Sequence, residues 1–275
     1  MPIGLWVRGP LRLDRLDGAL AVVGSRDATT YGADVAADLA ATVGDSGRAV
    51  VSGAAFGIDQ AAHRGAISVD APTVAVLACG ADRTYPQAHR ELIEHIAAEG
   101  AVVSETIPGG SPMRVRFLSR NRVIAALTSG TLVVEAALRS GALNTANWAS
   151  RLNRTVMGVP GPVTSASSAG VHQLVRTGAA TLVTSGEEVL EVLGAAGEHL
   201  LDRPRGPERA RDALTPRQRQ VLDAVPAVHG APSASVARVA GLGAADVHAT
   251  LLGLELRGLV ELDHSGWRLA AAAHG

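Results

Sequence analysis

The sequence lacks lysine altogether, contains one cysteine and is poor in aromatic residues, which make up 3% of its 275 residues. A single cysteine, Cys79, excludes a disulfide framework and is typical of a reducing cytosol. No stretch approaches the roughly 18 consecutive apolar residues of a membrane span, and the N-terminus lacks the charged-then-apolar pattern of an export signal. We therefore expect a cytoplasmic protein with no membrane association.

The absence of lysine also limits which nucleotide-binding motifs the chain can contain. A P-loop requires a lysine, so none can form, and no Gly-x-Gly-x-x-Gly pattern follows the first predicted strand. All 25 basic residues are arginines and face 26 acidic residues, for a net charge of −1. Net charge thus gives no argument for nucleic acid, and only local clustering of arginine can supply one. We predict no cofactor and no metal.

Short runs rich in Val and Ala alternate with helical patterns over residues 1–195. Strands are predicted at 19–23, 48–51, 73–78, 101–104, 132–135, 155–159 and 181–183, and the helix that follows the fourth strand is predicted at 121–128. Strands separated by helices of this length form right-handed βαβ units. The predicted fold class is therefore α/β, a Rossmann-like, mostly parallel sheet with helices on both faces.

A second, smaller domain is predicted after a break in composition. Residues 196–212 are charged and interrupted by proline, which is typical of a linker. Residues 213–275 contain three short helical patterns, the first capped by Thr215 and Pro216, and then two short strands. This order predicts a C-terminal winged-helix domain.

Three predicted strand ends carry small-residue turns that open helices: Gly24-Ser25-Arg26, Ser52-Gly53-Ala54 and Ser140-Gly141-Ala142. Free N–H groups and the helix dipole attract anions at such positions. Since ligands of open parallel sheets bind at the carboxyl ends of the strands, the three turns can face one anionic ligand. Each turn alone is explained somewhat better by the need of a tight turn for small residues.

The most basic segment of the chain runs from Pro112 to Arg122 and holds four arginines and one of only two phenylalanines. Residues 101–160 carry seven arginines against two glutamates, a local charge of +5 in a chain of −1. Arginine for phosphates and a ring for base stacking are what single-stranded nucleic acid needs. Composition alone fits a solvated loop with a buried Phe117 equally well.

The acidic, histidine and cysteine positions favour structural roles. Asp59 and His63 share a helix face, and no further ligands with metal spacing accompany them. Glu135 ends a predicted strand and is either a catalytic carboxylate or an arginine partner. Cys79 has no Cys-His-Asp arrangement around it, which predicts a buried thiol.

Taken together, these motifs resemble the DNA-processing protein A family, called DprA or Smf, over about residues 5–185. The matching segments, in chain order, are 22–26, 31–32, 52–59 with Ala62 and His63, 76–80 with Tyr85 and Pro86, 104–105, Phe117 with 120–124, 133–136, 140–146, 159–161 and 178–179. The resemblance implies a non-enzymatic homodimer that binds single-stranded DNA, protects it during natural transformation and loads the RecA recombinase.

The resemblance and the turns together define the predicted DNA site. Its residues are Ser25, Arg26, Ser52, Gly53, Arg114, Phe117, Arg120, Asn121, Arg122, Ser140, Gly141 and Thr145. The chain departs from the family pattern at Leu118, where proline is usual, and at His172, near a usual asparagine. The helical N-terminal domain often found in the family has no counterpart in these residues.

Two other functions stay open at this point. The fold also resembles nucleotide phosphoribohydrolases of the lysine-decarboxylase-like group, which carry a Pro-Gly-Gly-x-Gly-Thr-x-x-Glu motif. The comparable stretch, 127–135, has a Gly-Thr at Gly130-Thr131 and a Glu at Glu135 but lacks the Pro-Gly-Gly. The winged helix could bind duplex DNA, but its predicted recognition helix, starting at Ala244, has no arginine before Arg257. We therefore favour a protein-interaction role for that domain.

Overall fold

Buried aliphatic runs build an eight-stranded sheet in the computed structural model, which describes residues 2–201 and 210–270. The strands are β1 (Trp6–Arg8), β2 (Leu20–Val23), β3 (Val50–Ser52), β4 (Thr73–Leu77), β5 (Ala101–Ser104), β6 (Gly130–Val133), β7 (Thr155–Gly158) and β8 (Thr181–Leu182). Their order is β1-β5-β4-β3-β2-β6-β7-β8, parallel except for β1. The predicted Rossmann-like α/β fold is confirmed.

Seven helices of eight or more residues accompany this sheet in the described residues. They are α1 (Thr30–Asp45), α2 (Ile58–Ser68), α3 (Arg90–Glu99), α4 (Arg114–Ala126), α5 (Gly141–Arg151), α6 (Ala169–Arg176) and α7 (Gly186–Leu193). One apolar cluster packs α4, α5 and α6 against one face, and another packs α1, α2 and α7 against the opposite face. Because both faces are covered, the central strands are buried throughout.

Helix α4 begins seven residues before the predicted start at Asn121. The segment from Arg114 contains neither glycine nor proline, and Pro112 lies just upstream, where it does not interrupt the helix. Its periodicity is hidden in the sequence because two polar residues, Arg120 and Asn121, lie on the buried face. The basic segment from Pro112 to Arg122 is therefore mostly helical, and not the solvated loop that was one of its two interpretations.

Strand β1 is absent from the sequence prediction. It has three residues, and Trp6 and Val7 are about half exposed, so it carries no clear hydrophobic pattern. It pairs antiparallel with β5, with Val7 opposite Val103. Its position is set by the open edge of β5 rather than by local sequence.

The chain divides into two compact units, Met1–Leu201 and Asp202–Gly275. The described part of the second unit holds α8 (Pro216–Asp223), α9 (Ser233–Ala240), α10 (Ala244–Glu255) and a hairpin of β9 (Val260–Asp263) and β10 (Gly266–Leu269). Its core is aliphatic around Trp267, and Thr215 and Gln218 form a capping box on α8. This element order is that of a winged helix.

The predicted linker, 196–212, lies partly outside the described residues. Its described portions, 196–201 and 210–212, contain no helix or strand. The predicted boundaries at 195 and 212 stay predictions. None of the helices within 2–201 and 210–270 combines the length and hydropathy needed to cross a lipid bilayer.

Candidate nucleic-acid interface

A cleft of about 600 Å³ opens where the strand order of the sheet reverses, beyond the carboxyl ends of β2 and β6. Chain connections leave β2 toward β3 on one side, whereas β6 lies on the other side, so the loops diverge and leave a crevice. Nine of the twelve predicted site residues line it: Ser25, Arg26, Arg114, Phe117, Arg120, Asn121, Ser140, Gly141 and Thr145. The three that do not are Ser52, Gly53 and Arg122.

The turn after β2 forms the first wall and is held on both sides by backbone hydrogen bonds. The Ser25 N–H donates to the Glu135 carbonyl at 2.7 Å, and the Ile58 N–H donates to the Ser25 carbonyl at 3.1 Å. Gly57 has φ +76°, and a Cβ there would lie 2.3 Å from the Ser25 oxygen. The close approach therefore requires glycine at 57 and fixes the position from which Arg26 projects.

Arg26 is exposed and reaches across the cleft to the ring of Phe117. Its guanidinium carbon lies 4.9 Å from the ring centroid, a cation–π contact. The ring of Tyr85 approaches Phe117 from the loop after β4, with centroids 5.8 Å apart and planes at 57°. A phosphate-binding cation and an aromatic ring thus lie side by side, as the sequence prediction required.

Helix α4 forms the second wall, with exposed residues along the cleft and buried ones beneath it. Arg114 and Leu118 are exposed at the mouth, while Arg120 is 7% exposed. The Arg120 guanidinium donates to the Val76 carbonyl at 3.1 Å and lies 4.0 Å from the Asp59 carboxylate. Burial raises the pKa of Asp59, and the nearby Arg120 charge opposes that shift. Arg120 therefore supports the cleft floor.

The turn after β3 is engaged inside the protein. Ser52 is fully buried and its hydroxyl donates to the Val22 carbonyl at 2.6 Å. The Gly53 N–H donates to Asp59 Oδ2 at 3.2 Å, and a Cβ on Gly53 would lie 1.4 Å from Arg120 Nη1. Ser52 and Gly53 therefore shape the floor and leave no free polar group at the surface.

Asn121 and Arg122 connect α4 to its neighbours. The Asn121 amide donates to the Gly141 carbonyl at 3.2 Å, which ties α4 to the start of α5. Arg122 Nη2 lies 2.6 and 2.7 Å from the two carboxylate oxygens of Glu105, outside the cleft. The guanidinium of Arg122 is thus neutralised by Glu105, and only Asn121 faces the crevice.

The N-terminus of α5 closes the cleft from the β6 side. Ser140 caps the helix by accepting from the Ala142 N–H at 3.3 Å, and space is open beside Gly141. Thr145, one turn on, is 2% exposed at the base. Arg139 stands exposed just before the cap and lines the cleft, although the predicted site omits it. Its position next to a helix N-cap is the sequence signal that identifies it.

Glu135 lies two residues after the end of β6 and is 2% exposed beneath α1. Its carboxylate accepts from the Thr29 N–H at 3.0 Å and the Thr29 hydroxyl at 2.7 Å, and the Ser167 hydroxyl lies 3.3 Å away. A negative charge there complements the N-terminus of α1. Both oxygens are engaged in holding that helix, and no metal-binding cluster of His, Cys, Asp or Glu occurs within 2–201 and 210–270.

The fold divides the arginines of residues 101–160 between two edges of the sheet. Arg151 stacks on Trp148 at 5.2 Å where α5 ends, and Arg154 is exposed just before β7 begins. Both lie at the edge opposite the cleft, because α5 runs back across the sheet. The exposed arginines that line the cleft are Arg26, Arg114 and Arg139.

Comparison with known proteins agrees with the resemblance drawn from the motifs. The family model of DNA recombination-mediator protein A matches residues 1–194. The putative DNA processing protein DprA of Mycobacterium tuberculosis is 49% identical over the whole chain, which covers 70% of that protein. The X-ray structure of DprA from Streptococcus pneumoniae is 39% identical with a TM-score of 0.66, over 69% of this chain and 66% of that one.

A further solved structure concerns the single-stranded DNA binding mode of DNA processing protein A from Helicobacter pylori. It is 27% identical with a TM-score of 0.65, over 70% of this chain and 87% of that one. The extent of the family match and the identity to the mycobacterial protein carry the assignment. The chain belongs to the DNA recombination-mediator protein A family, whose members carry the names DprA and Smf.

Proposed function

We propose that the chain binds single-stranded DNA in the cleft at the carboxyl edge of the sheet. The observation that carries the proposal is the convergence of Arg26, Arg114 and Arg139 on a crevice that also holds Phe117, in a chain of net charge −1. The Helicobacter pylori relative, described for its single-stranded DNA binding mode, supports the same ligand. Recognition rests on phosphates and base faces, so it is tolerant of sequence.

Each part of the cleft has a role in this proposal. The exposed arginines bind phosphate oxygens, for which the planar guanidinium is well suited. The N-terminus of α5, capped by Ser140, offers N–H groups and a positive dipole to a further phosphate. Phe117 takes a base face, which is accessible in a single strand and hidden by stacking in a duplex.

The test is a binding titration with fluorescent single-stranded and double-stranded oligonucleotides of equal length. We expect tighter binding to the single strand, and a loss of roughly tenfold or more for Arg26→Ala, since a charge-assisted contact is removed. Arg154→Ala removes an exposed arginine from the opposite edge and should retain wild-type affinity. Equal affinity of Arg26→Ala and wild type would refute the phosphate site.

The same proposal extends to partners and location. The chain acts in the cytoplasm as a homodimer, protects incoming DNA and loads RecA recombinase during natural transformation. The family description as a recombination mediator supports the recombinase as partner. Light scattering on the free protein tests the dimer, and RecA assembly on single strands covered by a competing binding protein tests loading. Assembly that is not accelerated would refute the loading step.

Binding without catalysis is the activity that the site favours. The competing phosphoribohydrolase function needs Glu135 at the substrate, whereas the Glu135 carboxylate is held by Thr29 beneath α1. Incubation with nucleoside monophosphates and chromatographic detection of free base tests this. We expect no base release, and release that is lost in Glu135→Gln would establish the enzyme instead.

The winged-helix unit is proposed to bind protein. The exposed side of α10 presents Ala245, Ala249 and Leu252 and carries no arginine. Duplex readers place cations on the equivalent helix, because phosphates flank the groove. Tight binding of the full chain to duplex DNA that is lost in Leu252→Asp, with single-strand binding retained, would refute this role.

A further inference from the structure

Aromatic side chains are scarce in this protein, and three of them gather at one edge of the sheet. The chain has two Phe, two Tyr and three Trp residues. Phe56, Tyr85 and Phe117 lie on the loops after β3 and β4 and on α4, all at the carboxyl edge. Phe56 is 47% and Tyr85 43% exposed. Aromatic rings at this edge offer faces on which the bases of a nucleic acid can stack.

Of the two rings in the Tyr85–Phe117 pair, that of Tyr85 is the more accessible. The Phe117 ring is only partly exposed, and Arg26 covers it from 4.9 Å. Tyr85 lies beside Phe117, with centroids 5.8 Å apart, yet does not line the cleft. It therefore lies just outside the cleft, next to Phe117.

No internal task accounts for the exposed Tyr85 phenol. The hydroxyl of Tyr31, the other tyrosine, donates to the Pro160 carbonyl at 2.7 Å and so ties α1 to the loop after β7. Within 2–201 and 210–270, no hydrogen bond engages the Tyr85 hydroxyl. The Tyr85 ring contributes a surface rather than a link.

The loop that carries Tyr85 is held firmly. Both carboxylate oxygens of Asp82 lie 2.9 Å from the Gly109 N–H. Arg83 Nη1 donates to the Gly109 carbonyl at 3.1 Å and to the Ser111 hydroxyl at 2.9 Å. These bonds join the loops after β4 and β5. A ring on such a loop is ordered before a ligand arrives, which lowers the entropic cost of binding.

We propose that Tyr85 is a second base-stacking platform, which receives the base of the nucleotide that leaves the cleft next to Phe117. This inference rests on the proposed binding of single-stranded DNA. The stack is sequence-tolerant, because every base offers a π-face. It gives the strand a direction of exit, across the carboxyl end of β4.

The experiment compares wild type, Tyr85→Leu and Tyr85→Phe in titrations with oligothymidylates of increasing length. For the shortest oligonucleotides that bind to wild type, Tyr85→Leu should have the same affinity as wild type. It should lose about 5- to 150-fold once the strand is long enough to leave the cleft, which is the range of one base–aromatic stack. Tyr85→Phe retains the ring and should behave as wild type at every length.

A matched ligand separates stacking from a structural effect. A long oligonucleotide that carries abasic sites outside the cleft segment should bind Tyr85→Leu and wild type equally, because no base is left to stack. A loss that is the same at all lengths, or that persists with the abasic strand, would overturn the inference. Failure of wild type to bind any single strand would instead refute the proposed function itself.

Discussion

At the scale of single residues, the side chain of Arg120 fills the space beside Gly53 that a larger residue would need. The space that a Cβ on residue 53 needs is occupied by the Arg120 guanidinium, 1.4 Å away. Arg120 is buried and donates to the Val76 carbonyl, so it has no free path by which to withdraw. We expect Gly53→Ala to lower the free energy of unfolding by roughly 1–3 kcal/mol through overpacking.

Urea denaturation measures this effect, and a second glycine provides the control. Gly141 lies at the first position of α5, and a Cβ there meets no atom within 4 Å. Gly141→Ala should leave stability unchanged or raise it, because alanine is the better helix former. Equal stability of the two variants would show that Arg120 moves freely.

His63 makes folding sensitive to acid. Burial, together with the nearby positive charge of Arg120, lowers the pKa of His63 from 6.5 to about 3. The unfolded chain therefore binds a proton that the folded chain excludes, so stability is complete above pH about 6.5 and falls as the pH drops toward about 3. The expected loss between pH 7 and pH 4 is roughly 3 kcal/mol from this group.

His63→Leu tests that linkage. Urea titrations at pH 7 and pH 4 should show a smaller acid loss in the variant than in wild type, whatever its stability at pH 7. His95→Gln, at an exposed histidine, serves as the control and should keep the wild-type dependence. An unchanged acid loss in His63→Leu would assign the sensitivity to other groups.

At the scale of elements, Glu135 joins the end of β6 to the start of α1. Glu135→Gln preserves its shape and removes the charge that Thr29 and the helix dipole engage. We expect a loss of about 1.5–3 kcal/mol in unfolding free energy, the cost of a hydrogen bond to a charged group. Denaturant unfolding measures it, with Glu99→Gln, at the exposed last residue of α3, as the variant that should lose no stability.

Most helices and strands could be predicted because their buried residues are apolar. These residues recur at the spacing of a helix or form the short apolar run of a buried strand. Strand β5, for example, begins and ends at the predicted residues 101 and 104, directly after Gly100. Helix α4 was placed too late because Arg120 and Asn121 are polar and buried, which no periodicity of apolar residues reveals. Strand β1 depends on its partner β5 and has no local signal.

At the scale of the whole molecule, the sequence predicts an excess of arginine over residues 101–160. It does not show which of these arginines lie at the same edge of the sheet. Seven arginines are close in the chain, yet the path of α5 carries Arg151 and Arg154 to the far edge, and Glu105 neutralises Arg122. Arg139 reaches the cleft because a helix cap follows it. The topology of the sheet decides which arginines can contact one ligand. The sequence alone could therefore predict only the local excess of positive charge.

This distribution of charge predicts the salt dependence of binding. Each arginine that neutralises a phosphate should contribute about 0.7 to the slope of log K against log salt concentration for a single strand. Arg26→Ala, Arg114→Ala and Arg139→Ala should each reduce the slope by that amount, and Arg154→Ala should not change it. Titrations at several salt concentrations measure the slopes, and identical slopes in all four variants would contradict the division between edges.

The contact between Arg26 and Phe117 has a consequence for the proposed binding and release of DNA. The guanidinium covers the ring at 4.9 Å, so under the proposed function a base that stacks on Phe117 would displace Arg26, which would then be free to bind a phosphate. When the base departs, the guanidinium can return, and the ring is never left bare in water. Under the proposed function, binding and release of a base would thus exchange two states in which both Arg26 and Phe117 have a partner, which would suit transfer of the strand to a recombinase.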